Sequence, residues 1–234
     1  MNLFITSFFR RHFTERLVKE LYERTTYPFN IHIYDNGSDK ETRDYLISLL
    51  DKKLITSLVL DSRNTGCLYP KLIFNSMTES IDPYYVVTDN DCFPPLLQPC
   101  WLTQMVKIMD DNKDIDMLSP QFPPVVCMGP TVEGIREDFV YCKAIGNALK
   151  IVRRSSFPVY EQMLATYGDD EFISSFLKVA FCRKIFCFHA GQSKNWGYKE
   201  EEISLDPRKS TYTNPFILEV DPISYRPKDL TVTL

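Results

Sequence analysis

Asp89-Asn90-Asp91 closes the apolar run Tyr84-Tyr85-Val86-Val87-Thr88 and sets two carboxylates one residue apart at its end. Paired oxygen donors of this kind suit a hard cation, Mn2+ or Mg2+, which keeps several waters and takes one or two carboxylates. The same residues also suit a solvated turn, so the cluster gains weight only from its company. His189 follows another apolar run, Ile185 to Phe188, and precedes Ala190-Gly191, where its imidazole can serve as a further ligand. Asp169, Asp170 and Glu171 come after Tyr167-Gly168 and open a segment with helical spacing. Acidic residues there complement the helix dipole, and one of them within reach of a hydroxyl can act as general base.

Those clusters need a scaffold that brings them to one edge. Leu3-Phe4-Ile5-Thr6 reads as a strand, and Phe13, Leu17, Val18 and Leu21 as the buried face of a helix. Ile31 to Tyr34 is a second strand ending at Asp35-Asn36-Gly37. Ser38 and Glu41 form a capping-box pattern ahead of a helix that places Tyr45, Leu46, Leu49 and Leu50 on one face. Ile55 to Leu60, Lys71 to Met77, and Tyr84 to Thr88 continue as strand, helix, strand. The order predicts an α/β fold, parallel strands with right-handed crossovers and helices on both faces. The turns after the strands then share the carboxyl edge, where such sheets bind ligands: Thr6-Ser7, Asp35 to Ser38, Asn64-Thr65-Gly66 and Asp89 to Asp91. Asp35 is suited to a nucleobase or ribose, with the Thr6 and Ser7 hydroxyls beside it.

The second half is less regular. Pro120, Pro123, Pro124 and Pro130 predict a long loop, Gly146 to Val152 a strand, and Asp170 to Val179 a helix burying Ile173, Phe176 and Leu177. Residues 1–199 read as a single domain and 200–234 as a polar, proline-punctuated tail or lid.

With 44% apolar side chains the 234 residues can bury one substantial core, and a net charge of -4 argues against a nucleic-acid partner. No apolar run reaches the ~20 residues of a membrane span, and seven scattered cysteines suit free thiols, so the expected location is cytoplasmic. Asn36-Gly37-Ser38 matches a glycosylation acceptor but falls in the expected buried turn.

Taken in order, Asp35-Asn36-Gly37-Ser38, Asn64-Thr65-Gly66, Asp89-Asn90-Asp91, the segment from Gly146 to Arg153-Arg154, and Tyr167-Gly168-Asp169-Asp170 resemble the inverting GT-A glycosyltransferases of the family-2 type from Leu3 to Gly191. The resemblance implies the GT-A fold and a metal-dependent transfer of one sugar from a nucleoside-diphosphate sugar, UDP-sugar favoured, to a hydroxyl of a glycan or other acceptor, with inversion. It implies nucleotide contacts from Thr6, Ser7, Asp35, Asn36, Asn64, Lys71, Asp89 and Asn90. Asp89, Asp91 and His189 become the metal ligands, and Asp170, or Asp169 one residue away, the base. Two departures stand out: Cys67 to Lys71 replace the usual helix start after the N-x-G turn, and the Q-x-x-R-W motif of processive members is absent.

A sugar-phosphate nucleotidyltransferase is the second enzyme class, disfavoured because the loop Thr6 to Arg11 has no glycine to cradle phosphates. A non-catalytic nucleotide-sugar-binding module of the same fold is the third reading. Several mutually repelling carboxylates are an unneeded cost for it.

Overall fold

The computed structural model describes residues 1–62, 81–122, 130–142, 145, 148–158 and 176–190. Strand β1 (Asn2–Ser7) is followed by α1 (Arg11–Arg24), β2 (Asn30–Asn36), α2 (Lys40–Asp51), β3 (Ser57–Asp61), β4 (Tyr84–Asp89) and β5 (Cys92–Phe93). Then come α3 (Trp101–Asp111), β6 (Met117–Gln121), β7 (Pro130–Ile135), β8 (Phe139–Cys142), β9 (Lys150–Arg153), β10 (Val179–Phe186) and β11 (Phe188–His189). Nine strands form one sheet in the order β3-β2-β1-β4-β9-β6-β10-β8-β7, and β5 pairs with β11 in a second.

The sheet is mixed. β3, β2, β1 and β4 run parallel, as the alternating pattern predicts. Beyond β4 the sheet turns antiparallel at β9, and a hairpin of β7 and β8 ends it against β10. Period-two alternation splits the core between the two faces. Leu3, Ile5, Ile31, Ile33 and Val86 pack with Phe13, Leu17 and Leu21 of α1, Leu46 and Leu49 of α2, and Trp101, Met105 and Met109 of α3. Phe4, Tyr34, Tyr85 and Val87 face the other way with Met117, Val152 and Phe181.

All three described α-helices therefore cover one face. Successive right-handed crossovers from β1 to β2 to β3 place α1 and α2 on the same side. The return to β4, on the far side of β1, makes the carboxyl end of β1 a topological switch point. The segments expected to bring further helices, 71–77 and most of 170–179, lie outside the described residues, as does the tail from 200 onward.

Several local expectations are corrected. Asp39, not Ser38, caps α2, its side chain accepting from Thr42 N, because the Ser38 hydroxyl is engaged by Phe9 N at 2.8 Å. Glu41 pairs with Arg11 at 3.0 Å instead of closing a capping box, and Leu50 is exposed. Pro120 lies in β6 and Pro130 opens β7, so the proline-rich stretch is partly strand. Pro120 is tolerated because the β6–β10 register shifts between Phe181 and Phe186, interrupting the ladder beside it. Val179 begins β10 and does not end a helix. Among the described residues, the strand expected over Gly146 to Val152 covers Lys150–Arg153 and leaves out Ala148 and Leu149. Helix α3 has apolar residues at helical spacing and is anchored by Trp101, whose indole N–H donates to Thr25 Oγ1 at 2.8 Å. Arg153 closes its C-terminal end by donating to the Met109 and Asn112 carbonyls.

Candidate active site

The parallel register sets the polar strand ends in one row: Asn36 beside Asp61, Ser7 beside Asp35, Thr6 beside Asp89. Within that row two environments differ.

At the β2 end, Asp35 is fully buried. Its Oδ2 accepts from Ser38 N at 3.2 Å and from Arg43 Nε at 3.1 Å. Arg43 also donates to the Asp61 carbonyl, and Tyr34 Oη donates to Asp61 Oδ2 at 3.0 Å, so α2 and β3 clamp this end. Burial pushes the Asp35 carboxyl above its ordinary range, against the lowering pull of Ser38 and Arg43. Asp35 Oδ1 and Thr6 Oγ1 are both buried without a hydrogen-bond partner among the described residues. Orphaned buried acceptors of this kind are rare and call for an explanation, which a hydrogen-bonding ligand supplies.

At the β4 end the arrangement is dense with charge. The turn after β4 leads into β5, and the antiparallel pairing of Cys92 with His189 and of Phe93 with Phe188 carries the histidine to the turn. Ala190 N donates to the Asp91 carbonyl at 2.9 Å and locks the two together. Phe93 and Phe188 stack at 5.9 Å, and the Arg16 guanidinium lies 4.1 Å from the Phe93 ring centre, which ties the small sheet to α1. His189 Nε2 stands 3.5 Å from Asp91 Oδ1, and Cys92 Sγ lies 3.7 Å from the same oxygen.

One residue here was not foreseen. Arg10 is buried, and its Nη1 meets Asp91 Oδ2 at 2.6 Å while Nη2 donates to Asn90 Oδ1 at 3.0 Å. Burial raises the Asp91 carboxyl, but Arg10 and His189 outweigh it and hold it well below the usual carboxylate range. His189 is lowered by burial, yet Asp91, with help from Asp89, raises it overall. Asn90 faces inward: its amide donates to Phe9 O at 3.2 Å and Thr14 Oγ1 at 3.0 Å. Ser7 is also fully buried, 3.5 Å from Thr14 Oγ1. These two expected nucleotide contacts therefore brace the loop that follows β1. Asn36 is buried too, as expected for the turn containing it.

The structure thus brings Asp91 and His189 together, with Asp89 half-buried on the same strand end. Asn64, Lys71, Asp169 and Asp170 lie outside the described residues. Asp91, Cys92 and His189 have ligand atoms within 4.8 Å of one another. The carboxylate and imidazole fit a Mn2+-like ion. The Cys92 thiol fits poorly, since burial first and then Asp91 and Asp89 push its pKa far up and keep it protonated.

The solved structures that superpose on this sheet and its helices show the GT-A glycosyltransferase fold. GalNAc-T7, solved with UDP, GalNAc and Mn2+, superposes with a TM-score of 0.63 at 14% identity, covering 80% of this chain and 43% of that one. The mannosyltransferase PcManGT of Pyrobaculum calidifontis, solved with GDP-Man and Mn2+, gives 0.58 at 13% identity over 87% of this chain and 58% of its own. S. aureus TarS residues 1–349 with UDP gives 0.53 at 12% identity, covering 82% and 61%. The chain therefore spans about half the length of these neighbours. No family model and no curated protein sequence matches it. No described helix is long and apolar enough to cross a membrane.

Proposed function

We propose that this chain is a nucleotide-sugar-dependent glycosyltransferase that transfers one sugar, from a UDP-sugar in the favoured case, to a hydroxyl acceptor with inversion. The observation that carries it is the row of strand ends holding two orphaned acceptors, Thr6 Oγ1 and Asp35 Oδ1, beside the Asp91–His189 pair. A nucleoside diphosphate has the matching polarity: N–H and O–H donors at one end, anionic oxygens at the other. The Mn2+ and nucleotides bound by the superposed enzymes support the same assignment.

On this reading Thr6 and Asp35 hold the nucleoside, and Asp89 and Asp91 with His189 hold a divalent ion. The chemistry such an ion supplies when bound is neutralisation of the departing diphosphate. Asp170, or Asp169, takes the proton from the acceptor hydroxyl. The hydroxyl oxygen bonds to the anomeric carbon as the carbon–oxygen bond to the diphosphate breaks, so one displacement inverts the centre. Asn64 and Lys71 complete the donor contacts in this assignment, which follows the family resemblance.

Calorimetric titration with UDP, with and without Mn2+, tests the reading. Manganese-dependent binding that disappears in Asp91→Ala is the expected result. If UDP, GDP and dTDP all fail to bind the wild type, the donor site is refuted.

A further inference from the structure

Resting on that reading of the site, we propose that Arg10 is a resident counter-cation that makes divalent-metal binding at Asp91 conditional on a bound nucleoside diphosphate. Asp91 has two oxygens. Arg10 Nη1 holds Oδ2 at 2.6 Å, while Oδ1 faces His189 Nε2 at 3.5 Å. The oxygen turned toward the imidazole is the one a metal ion can share with His189, and it belongs to a carboxylate whose charge Arg10 already offsets. Both Arg10 and Asp91 are buried, at 6% and 3% exposure, so solvent and salt screen little of the repulsion between a guanidinium and an arriving divalent ion. The diphosphate brings the negative charge that offsets both.

The backbone is bent to put Arg10 there. Phe9 and Arg10 are consecutive residues in the left-handed region, with φ of 51° and 52°, a conformation that costs roughly 1–2 kcal/mol per non-glycine residue. The bend is held from the β4 and β2 ends of the row of strand ends. Asn90 Nδ2 donates to Phe9 O, and Phe9 N donates to the Ser38 hydroxyl, whose own backbone N–H donates to Asp35 Oδ2. A continuous set of hydrogen bonds thus runs from Asp35, where the nucleoside is assigned, through Ser38, Phe9 and Asn90 to Arg10 and Asp91. Strain maintained by such contacts points to a functional placement of the side chain.

The two bound species should then be coupled, and coupling is reciprocal. The test is titration of free Mn2+ by its electron paramagnetic resonance signal, with and without UDP, in wild type, Arg10→Gln and Arg10→Lys, each checked for folding by circular dichroism. Arg10→Gln is expected to bind Mn2+ without UDP about 5- to 150-fold more tightly than wild type, the usual range of such couplings, and to gain less from UDP. Arg10→Lys keeps the charge and should match wild type within about threefold, though it cannot reproduce the two-pronged fork. Weaker Mn2+ binding in Arg10→Gln, or in Arg10→Lys should the glutamine variant not fold, overturns the proposal and leaves Arg10 as a positioning residue for Asp91. Wild type that binds UDP and Mn2+ independently of one another also overturns it, with the donor-site reading intact. No Mn2+ binding by any of the proteins, with or without UDP, overturns both.

Discussion

The β4 end and the β2 end of the row of strand ends, with β1 between them, handle buried polarity in opposite ways. Asp91 sits between Arg10 and His189 and is stabilised as the charged form. Asp35 has one oxygen satisfied by Ser38 and Arg43 and one with no partner among the described residues, and its charged form is disfavoured by burial. A charge already compensated must exchange partners when a ligand arrives, whereas an orphaned acceptor only gains one. The first arrangement favours stability of the free protein; the second stores a deficit that ligand binding relieves.

The largest effect expected from breaking this contrast is at Asp91. Asp91→Ala strands the buried Arg10 guanidinium without its carboxylate, and removing one partner of a buried pair typically costs about 3–5 kcal/mol. Chemical denaturation should show a loss of unfolding free energy of that size, together with loss of manganese-dependent UDP binding. An Asp91→Ala protein as stable as wild type would show that Arg10 is not committed to this carboxylate.

The β2 end should respond in the opposite sense. Asp35→Ala is expected to weaken UDP binding by about 10- to 100-fold, the worth of a hydrogen bond to a charged group, measured by calorimetry. Asp35→Asn should weaken it too while raising the thermal midpoint of the free protein at neutral pH. The sign follows from the raised carboxyl: the folded state takes up the proton at a higher pH than the unfolded chain. Stability contributed by Asp35 is therefore lost as pH rises from the ordinary value of 3.8 through the raised one. The advantage of Asp35→Asn should shrink as pH falls through the raised value and be gone below about 4, where wild-type Asp35 is neutral in both states. A midpoint difference independent of pH would assign the effect to packing. Thr6→Val keeps the shape and removes the orphaned hydroxyl, so a smaller loss is expected: about 2- to 10-fold in UDP affinity, the range of a neutral hydrogen bond, with no loss of stability.

This contrast was only half legible in the sequence. The strand, turn, helix rhythm from Leu3 to Asp91 fixes a local period at every step, so the parallel half of the sheet and its row of acidic strand ends could be read directly. His189 could be placed at a strand end. What brings it to Asp91 is a two-residue pairing, Cys92–Phe93 with Phe188–His189, that is too short to show a period. Arg10 was illegible for a further reason. Residues 6–11 contain no glycine, so sequence gives no signal for the two left-handed residues that aim its side chain at β4. Pro120 and Pro130 point to a loop because prolines mark breaks in a local reading, whereas the β6 irregularity and the sheet edge at β7 accommodate these two.

The smallest expected effect concerns which side of Asp91 the proposed ion would take. Cys92 is as near to Asp91 Oδ1 as His189 is, at 3.7 against 3.5 Å, so distance alone does not choose between sulfur and nitrogen. Chemistry does. The thiol is fully buried beside two carboxylates, all of which oppose formation of a thiolate, and only the thiolate is a strong ligand. Mn2+ prefers oxygen and imidazole donors to sulfur, and His189 supplies the imidazole from the opposite strand. Cys92→Ala should therefore change Mn2+ affinity in the presence of UDP by less than about threefold, against a far larger loss for His189→Ala measured in the same titration. A loss in Cys92→Ala equal to that in His189→Ala would place the ion on the β5 side of the carboxylate and make this a softer, zinc-like centre.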